Sequence, residues 1–343
     1  MMCRTPIFAL LAATMTFAAE GLNVIVNASV DSHIDSVTVS AGNQTMSLSK
    51  NGSASWQGWV VGTAYSVTAT GVATGYTAKW KVSTNNVVVL SGGMNGTITL
   101  SSTAFGGCAL RFYGEPNTCT VTLDSQSGDG GTSSVTATYD AAMPSATMPT
   151  RTGYAFGGYY TGTNGSGTQY YTATGASAKI WDRTSATTLY AKWTAITSTV
   201  TLDRQSGSGG TSSVTATYDA AMPSITVPTR TGYTFGGYYT SANGGGTQYY
   251  TATGASARNW DRTSATTLYA KWTVVTSTVT LDRQSGSGGS SSVTATYGQA
   301  MPSITVPTRT GYTFGGYYTS AGGGGTQYYT ATGVSARTEA EIP

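Results

Sequence analysis

"RTGYTFGGYYT" occupies residues 230–240 and returns unchanged at 309–319, while residues 151–161 read "RTGYAFGGYYT". In the second copy, Tyr233, Phe235 and Tyr239 fall on one face of an extended strand. Gly237 lies between them, where the absence of a side chain lets another backbone approach closely. The stretch therefore predicts an aromatic β-strand that the chain uses three times.

The repeat extends well beyond this strand. "TVTLD" begins at residues 120, 199 and 278, so successive copies are 79 residues apart. In the second copy, "TVTLD" and "SVTATY" alternate apolar and polar residues, and "SGSGGT" between them supplies a hairpin turn. Pro223 and Pro228 discourage a central strand, and "TTLYAKW" closes the copy with Leu268, Ala270 and Trp272 on one face. Each copy is predicted to be a small, mainly β domain of about four strands, with room for one short helix in "YYTATGASARNWDRT".

The length of the repeat separates independent domains from a solenoid. A solenoid repeat of about 20–45 residues cannot bury its own core, whereas a unit of about 75 residues can do so marginally. The connections "AIT" at 195–197 and "VVT" at 274–276 are short and lack Pro and Gly, which indicates beads in series on stiff connections. The predicted domains are a separate all-β domain of unknown type at 20–117, repeat 1 at 118–194, repeat 2 at 197–273 and an incomplete repeat 3 at 276–343. Within the first of these, "GVATGYTAKW" at 71–80 faintly echoes the repeat.

The composition is typical of extracellular β-structure. The chain of 343 residues is only 9% charged and contains 45 Gly and 23 Tyr against 7 Phe. The regular spacing of its aromatic and apolar residues argues against disorder. Its net charge of +3 comes from singly scattered residues. Because no run of Lys or Arg could follow a phosphate backbone, we exclude nucleic acid as a partner.

The first residues, "MMCRTPIFALLAATMTFAAEG", follow the plan of a secretory signal peptide. Arg4 precedes an apolar stretch from Ile7 to Phe17, and the small residues Ala18 and Ala19 follow. We predict a signal peptide at residues 1–19 and a secreted or cell-envelope location; a buried first strand or helix is the alternative. No later stretch approaches the ~20 continuous apolar residues of a membrane span, so no transmembrane segment is expected after signal removal.

Removal of the signal peptide also removes Cys3 and leaves Cys108 and Cys119. In an oxidising compartment a disulfide between them is expected, and it would stabilise the fold by about 3 kcal/mol if the geometry allows closure. Two free thiols are the alternative. Two cysteines with one distant His do not make a zinc site.

The motifs "GYTFGGYY" and "LYAKW", with an upstream "VTLD" and a Pro shortly before "TRTGY", resemble the Listeria–Bacteroides repeat family, also called the InlB B-repeat family. The resemblance covers residues 120–337. It implies a β-grasp-like domain, a small sheet crossed by one short helix, found in tandem in secreted and envelope proteins of bacteria. It implies no catalytic residues and no cofactor. Tyr238 stands where many members have Trp, which should alter packing more than function.

The third copy departs from this pattern. It follows the others to "TGVSAR" at 332–337 and then reads "TEAEIP". It contains no counterpart of "NWDRTSATTLYAKW", and so none of Trp260 and Trp272. We expect an incomplete repeat with its final strand missing, an open edge and a weak core, explained by a truncated reading frame or a fragment of a longer protein.

The acid–base groups of the repeats predict structural roles. Asp124, Asp140 and Asp182 all recur in repeat 2, but in the third copy Gly298 replaces the counterpart of Asp219 and the segment that contains Asp261 has no counterpart. The counterpart of Asp124 in repeat 2, Asp203, ends a strand before a Gly-rich turn, and Asp261 could cap a turn or pair locally. No catalytic, metal or cofactor residue is expected here.

The N-terminal domain offers little for catalysis. His33 is the only His of the chain and lies in the polar segment "VDSHIDS". We interpret it as a solvated strand or turn residue rather than as part of a catalytic triad. An enzyme at 20–117 is the weakest hypothesis, because His33, Asp31, Asp35 and Glu115 are its only ordinary acid–base groups.

The exposed aromatic residues are the candidate binding surface. Adjacent tyrosines of an extended strand point to opposite faces, so Tyr159, Tyr238 and Tyr317 are predicted to lie outward, with one of Tyr249 or Tyr250. Flat phenol rings beside Gly and Thr suit a glycan or a partner strand, and tandem copies would raise a weak affinity. The alternative is that the proline segment and the short helix cover this face.

Two functions follow from these patterns. In the first, the repeats are a structural spacer that presents the N-terminal domain of a non-catalytic envelope protein. In the second, outward Tyr and Arg residues of the repeats adhere to extracellular glycans or to a surface protein.

Overall fold

The computed structural model describes residues 23–60, 63–84, 87–93, 97–99 and 108–337. The predicted signal peptide at 1–19 lies outside these residues. The chain divides into two compact units, residues 1–150 with 156–192, and residues 151–155 with 193–343. The regular secondary structure of the described residues consists of β-strands and three single 3-10 turns, which confirms the prediction of a mainly β protein.

The N-terminal domain contains two sheets of antiparallel and parallel strands. One sheet has the order β4-β1-β9-β6-β7 and the other the order β3-β2-β5-β8. Apolar residues alternate with polar ones along these strands, so that Val37, Val39, Tyr65 and Val67 enter a common core. The strands are β1 (Asn23–Val30), β2 (Ile34–Ala41), β3 (Gln44–Ser49), β4 (Ser53–Val60), β5 (Ala64–Val72), β6 (Tyr76–Thr84), β7 (Val87–Gly93), β8 (Thr97–Thr99) and β9 (Cys108–Pro116).

Repeats 1 and 2 are five-stranded sheets with the same order. Repeat 1 contains β10 (Thr118–Asp124), β11 (Ser134–Thr138), β12 (Tyr154–Tyr160), β13 (Gln169–Tyr171) and β14 (Thr187–Ala195), in the order β11-β10-β14-β12-β13. Repeat 2 contains β15 (Thr197–Asp203), β16 (Ser213–Thr217), β17 (Tyr233–Ser241), β18 (Gly245–Tyr250) and β19 (Thr266–Val274), in the order β16-β15-β19-β17-β18. The first and last strands of each repeat pair in parallel, so the closing strand occupies the centre of the sheet. The fifth strand, which sequence analysis did not predict, is the short "QYY" segment.

The helix implied for the repeat is missing from the described residues, whereas the proline segment is as predicted. The predicted short helix is not present in the described repeats, where "YYTATGASARNWDRT" runs as β18 followed by irregular backbone. The proline segment at 222–229 contains no strand, in agreement with the prediction from Pro223 and Pro228.

Repeat 3 contains two separate two-stranded sheets. Its strands are β20 (Thr276–Thr280), β21 (Ser292–Thr296), β22 (Tyr317–Ser320) and β23 (Gly324–Tyr329), paired as β20-β21 and β22-β23. None of the described residues of this repeat forms a strand that pairs with both β20 and β22, as β19 pairs with β15 and β17 in repeat 2.

A β-bulge reverses the side-chain alternation in the aromatic strand. Phe235 lies opposite Trp272 and Tyr238 opposite Ala270, so β17 has one more residue than β19 across Gly236 and Gly237. Gly237 has a φ of +112°, and a Cβ there would lie 2.3 Å from the backbone oxygen of Tyr250. The predicted close approach of another backbone at Gly237 is therefore confirmed.

The candidate binding surface predicted at Tyr159, Tyr238 and Tyr317 is wrong. These residues are 0%, 0% and 8% exposed. In repeat 2 the bulge turns Tyr238 to the same side as the preceding Phe, and in the other two repeats the equivalent tyrosine also contacts its preceding Phe, with ring centroids 5.3 Å and 5.1 Å apart. Tyr238 contacts Phe235 edge-on, with ring centroids 5.2 Å apart. The following tyrosine, Tyr239 in repeat 2, is the one that faces outward.

Both faces of the short fifth strand are also covered. Tyr249 packs on Trp260 with ring centroids 4.8 Å apart. On the other side, the hydroxyl of Tyr250 donates a hydrogen bond of 2.8 Å to the carbonyl of Pro223. Neither Tyr249 nor Tyr250 is exposed, so the prediction that one of them lies outward is wrong and the proline segment covers that face, as the alternative proposed.

The predicted disulfide between Cys108 and Cys119 is also wrong. Cys119 is a free thiol in the structure. Cys108 begins β9, which pairs with β6 without interruption as far as Pro116. At about 3.3 Å per residue the two ends of β9 are roughly 26 Å apart. Cys119 follows Pro116 by only three residues, so its Cα lies at least about 15 Å from that of Cys108, whereas a disulfide requires less than about 7 Å.

Candidate functional site at the domain joints

A single residue connects each domain to the next. Asn117 lies between β9 and β10, Ile196 between β14 and β15, and Val275 between β19 and β20. We call each of these residues a joint, together with a Gly-Tyr pair from the domain before it and a tyrosine and its next residue from the domain after it. In the joint at Ile196, these are Gly153 and Tyr154, and Tyr218 and Asp219. Each joint lies within one of the two compact units.

The backbone of the connecting residue is hydrogen-bonded on both sides. In the second joint, Ile196 N–H donates to the carbonyl of Gly153, and the N–H of Tyr218 donates to the carbonyl of Ile196, both at 2.9 Å. The first joint uses Gly75, Asn117 and Tyr139, and the third uses Gly232, Val275 and Tyr297, at 2.8–3.0 Å. The polar backbone groups of the connecting residue are thus satisfied by the domains on either side.

Two tyrosine rings meet edge-on at each joint. Tyr154 and Tyr218 in the second joint have ring centroids 5.8 Å apart and an interplanar angle of 73°. The ring pairs of the other joints, Tyr76 with Tyr139 and Tyr233 with Tyr297, are 5.6 Å and 6.4 Å apart. This edge-on arrangement is the one that aromatic quadrupoles favour.

The glycine before the first tyrosine makes this approach possible. Gly153 has a φ of +80°, and a Cβ there would lie 2.2 Å from the ring of Tyr218. The same Cβ would lie 2.4 Å from the Tyr139 ring at Gly75 and 2.0 Å from the Tyr297 ring at Gly232. A side chain at these positions would therefore strain the backbone and displace the ring.

A planar polar side chain also lies over the ring of the tyrosine that follows this glycine. Arg151 lies 3.9 Å from the centre of the Tyr154 ring, and Arg230 lies 3.8 Å from that of Tyr233. In the first joint, His33 takes this place and stacks on Tyr76 at 4.1 Å. His33 is a half-buried turn residue next to Asp31, in agreement with its interpretation as a turn residue.

The first two joints also contain a hydroxyl–carboxylate hydrogen bond. The hydroxyl of Tyr76 donates to Asp140 at 3.1 Å, and that of Tyr154 donates to Asp219 at 3.4 Å. Burial and the hydrogen bond to Asp140 raise the pKa of Tyr76. Gly298 occupies the equivalent position of the third joint, so that joint lacks the acceptor.

The remaining acids of the repeats hold local structure. Asp203 accepts a hydrogen bond of 2.9 Å from the N–H of Gln205 at the start of the hairpin loop, and the equivalent Asp124 does the same. Hydrogen bonds from Lys179 and then from Tyr170 lower the pKa of Asp182. The equivalent Asp261 pairs with Arg258 at 2.6 Å. These contacts agree with the structural roles predicted for the acids.

The acids of the N-terminal domain do not converge on His33. Asp31 accepts hydrogen bonds from the N–H groups of His33 and Gly114 at 2.9 Å and 3.1 Å. Asp35 forms an ion pair with Lys50 and Glu115 one with Lys79. The structure therefore brings only Asp31 of these acids next to the histidine.

Sequence analysis placed short connections at 195–197 and 274–276, which include Ile196 and Val275, but it did not identify the Gly-Tyr contacts of the joints. The available signal was the "TGY" within "GVATGYTAKW", the segment of the N-terminal domain that echoes the repeat. Gly75 and Tyr76 in this echo form the first joint as Gly153 and Tyr154 form the second.

The described part of the chain contains neither a metal-type cluster nor a membrane-spanning helix. No cluster of three or more His, Cys, Asp or Glu residues with the geometry of a metal site occurs among them. No helix in this part of the chain has the length and hydropathy that crossing a bilayer requires.

Comparison with known families gives a match over more than half of the chain. The Listeria-Bacteroides repeat domain family matches residues 120–192, 199–271 and 278–339. The chain belongs to this family. The resemblance noted from "GYTFGGYY" and "LYAKW" is thereby confirmed, and the matched segments coincide with the three copies of the Listeria-Bacteroides repeat described above.

Two bacterial proteins are similar to part of the chain. The chain is 37% identical over 127 residues to "Internalin H" of Listeria monocytogenes, covering 36% of this chain and 21% of the relative. It is 31% identical over 172 residues to a "Putative Gly-rich membrane protein" of Evansella cellulosilytica, covering 49% and 19%. The chain thus spans about a fifth of the length of these curated relatives.

A solved structure, "The Bacillus anthracis TIE protein", aligns with 74% of this chain and 51% of its own chain at 11% identity. The TM-score of this alignment is 0.25, too low for any inference about the present fold.

Proposed function

We propose that this chain is an exported, non-catalytic bacterial cell-envelope protein whose tandem repeats act as a structural spacer that presents the N-terminal domain. The repetition of one joint at Asn117, Ile196 and Val275 carries this proposal. A single connecting residue has only two soft backbone dihedrals, and both of its hydrogen-bonding groups are engaged. Each added repeat should therefore be held in a fixed orientation to the domain before it.

The relatives support the proposed location. One of them carries the name of a membrane protein and another that of an internalin, and both come from bacteria. The predicted signal peptide at 1–19 would deliver the chain to the same compartment. No residue role in catalysis is needed for a spacer, in keeping with the structural contacts of the acids.

We further propose that the repeat is β-grasp-like, with the proline segment in place of the helix. The parallel pairing of the first and last strands at the centre of the sheet, with a hairpin on each side, supports this description.

Small-angle X-ray scattering on the full chain without its signal peptide tests the spacer. We expect an extended particle, and a broader, more flexible one when Tyr76, Tyr154 and Tyr233 are all replaced by alanine. Tyr312→Ala is the matched control, because Tyr312 follows the same Arg-Thr-Gly but is 66% exposed. A compact particle, or equal scattering from the triple variant and the wild type, would contradict the spacer.

Adhesion to glycans or to a surface protein is the second candidate. It is favoured by the half-buried outward tyrosines Tyr160 and Tyr239, each with a lysine ammonium 5.8 Å from its ring centre. A glycan array probed with the wild type and with the Tyr160→Ala, Tyr239→Ala double variant tests this candidate. Signal that the double variant loses would support adhesion, and a blank array would favour the spacer.

A further inference from the structure

The centre of the sheet in repeat 3 is an open cleft. In repeats 1 and 2, β14 and β19 fill this position between the first and third strands of the repeat. In repeat 3, a cavity of about 580 Å³ separates β20 from β22. Val279 and Leu281 line it from one side and Tyr317 from the other.

The strands on both sides of the cleft are shorter than their counterparts. β20 has five residues where β15 has seven, and β22 has four where β17 has nine. In repeat 2, β19 pairs in parallel with Val200–Asp203 and antiparallel with Tyr238 and Tyr239. The corresponding edges in repeat 3 have no strand partner among the described residues. Unpaired edges beside an apolar surface are a template for the addition of a strand.

Repeat 3 retains the space that a lysine side chain occupies in repeat 2, and we call this space beside Gly315 and Gly323 the lysine seat. A Cβ on Gly236 or Gly244 would lie 3.2 Å or 2.6 Å from the Cδ of Lys271, whose side chain crosses both glycines toward Tyr239. The equivalent glycines, Gly315 and Gly323, have no atom within 4 Å of such a Cβ. The two glycines therefore leave the room that a lysine of the closing strand occupies in repeat 2.

Repeat 3 also retains the residues that hold a tryptophan side chain in repeat 2, and we call the space beside Arg283 and Phe314 the tryptophan seat. In repeat 2, Trp272 Nε1 donates a hydrogen bond of 2.8 Å to the carbonyl of Arg204, and its ring meets Phe235 at 5.5 Å. The counterparts Arg283 and Phe314 line a second cavity of about 470 Å³ that extends the cleft.

We propose that the cleft between β20 and β22 binds an extended segment that carries the closing pattern of the repeat, Leu-Tyr-Ala-Lys-Trp. The segment runs parallel to β20 and antiparallel to β22, with Leu and Ala in the core and Lys and Trp in their seats. A one-residue shift would place Tyr and Lys in the core, so the alternation fixes the register. The two such strands among the described residues, β14 and β19, already occupy the sheets of their own repeats, so the cleft is tested with an added peptide.

A synthetic peptide with the sequence of residues 266–274, TTLYAKWTV, is the probe. Fluorescence anisotropy of the labelled peptide with the full chain lacking its signal peptide should show saturable binding. Hydrogen exchange should show new protection at residues 279–282 and 317–320. A control peptide with Leu and Lys interchanged, TTKYALWTV, should bind at least about tenfold more weakly.

A cleft variant separates specific binding from general stickiness. Gly315→Leu fills the lysine seat but meets nothing in the free chain, where Gly315 has no neighbour within 4 Å and its φ lies outside the left-handed region. It should weaken peptide binding at least about tenfold. Thr294→Leu, at an exposed position of β21 away from the cleft, should leave binding unchanged. The proposal is overturned by an absence of binding, by equal binding of the interchanged peptide or to Gly315→Leu, or by protection that lies outside the cleft.

Discussion

Replacement of Gly232 by alanine should open the third joint, whereas the same replacement at Gly311 should leave the joint closed. Both glycines lie in the sequence "RTGYTFGGYYT", with φ angles of +74° and +77°. A Cβ at Gly232 would lie 2.0 Å from the ring of Tyr297, but one at Gly311 would have no atom within 4 Å. The pair of variants therefore separates backbone strain, which both share, from displacement of the ring.

The expected difference can be worked out from the contacts. An alanine in the left-handed region costs about 1–2 kcal/mol in either variant. In Gly232→Ala, displacement of the ring also removes the edge-on contact between Tyr233 and Tyr297, worth about 0.5–1.5 kcal/mol. It further removes the hydrogen bond from Val275 N–H to the carbonyl of Gly232, worth about 1 kcal/mol. The joint should open more easily in Gly232→Ala than in Gly311→Ala by about 1.5–2.5 kcal/mol, or roughly ten- to seventyfold.

Hydrogen exchange measures this opening directly, because the amides of Val275 and Tyr297 donate the hydrogen bonds of the joint. Their exchange should be roughly ten- to seventyfold faster in Gly232→Ala than in Gly311→Ala. Equal exchange rates in the two variants would refute the idea that the Gly-Tyr pair holds the joint closed.

Three further predictions concern the hydroxyl, indole and phenol groups. Tyr154→Phe should weaken the second joint by about 0.5–1 kcal/mol because Asp219 loses its hydrogen-bond donor. Tyr233→Phe should have no effect on the third joint, because Gly298 offers no acceptor there. Hydrogen exchange at the amides of Tyr218 and Tyr297 measures the two effects. Ser198→Ala should destabilise repeat 2 by about 1–3 kcal/mol in denaturant unfolding, because it leaves the buried indole N–H of Trp260 without its acceptor. Cys119→Ser in repeat 1 should be tolerated, because it replaces the thiol acceptor of Trp181 by the hydroxyl acceptor that Trp260 has in repeat 2. Burial raises the pKa of Tyr159, Tyr171, Tyr238 and Tyr250 to about 12 from an ordinary value of 10.0. Because the folded-state pKa lies above the unfolded one, the stability that these neutral phenols contribute is complete below about pH 10 and is lost as the pH rises toward about 12. Absorbance at the tyrosinate band should show a class of tyrosines that ionises together with loss of the fold; ionisation of all tyrosines near pH 10 with the fold intact would contradict the burial.

Local patterns were sufficient to predict four of the five strands of repeat 2 but not all of their faces. Alternation in "TVTLD", "SVTATY" and "TTLYAKW" corresponds to β15, β16 and β19. The same alternation failed at Tyr238, because one extra residue at Gly236–Gly237 shifts every later side chain to the other face. Gly237 was correctly interpreted as a close approach of two backbones, but the sequence does not state that this approach comes with a bulge.

Contacts between distant residues could not be predicted in this way. The disulfide was expected because Cys108 and Cys119 are the two cysteines left in an oxidising compartment, but residues that are close in sequence are far apart in space when an extended strand such as β9 separates them. The joint between Tyr154 and Asp219 pairs residues 65 positions apart in different repeats. Each residue alone has an ordinary local interpretation, and only the fold brings them together.

The two halves of "RTGYTFGGYYT" make different contacts, the first at the joint and the second in the core of its own domain. This explains why the motif is longer than one core strand requires. In repeat 2, Arg230, Gly232 and Tyr233 contact the joint, while Phe235 and Tyr238 pack in the core of their own domain. Repeat 3 separates these tasks, since Tyr312 remains 66% exposed while Tyr317 still packs on Tyr329 with ring centroids 6.1 Å apart. The core half therefore does not depend on the joint half, because Tyr317 is buried where nothing covers Gly311. The Arg-Thr-Gly-Tyr segment is consequently the part of the motif that fastens one domain to the next, and substitutions there should loosen the chain of domains without unfolding any one of them.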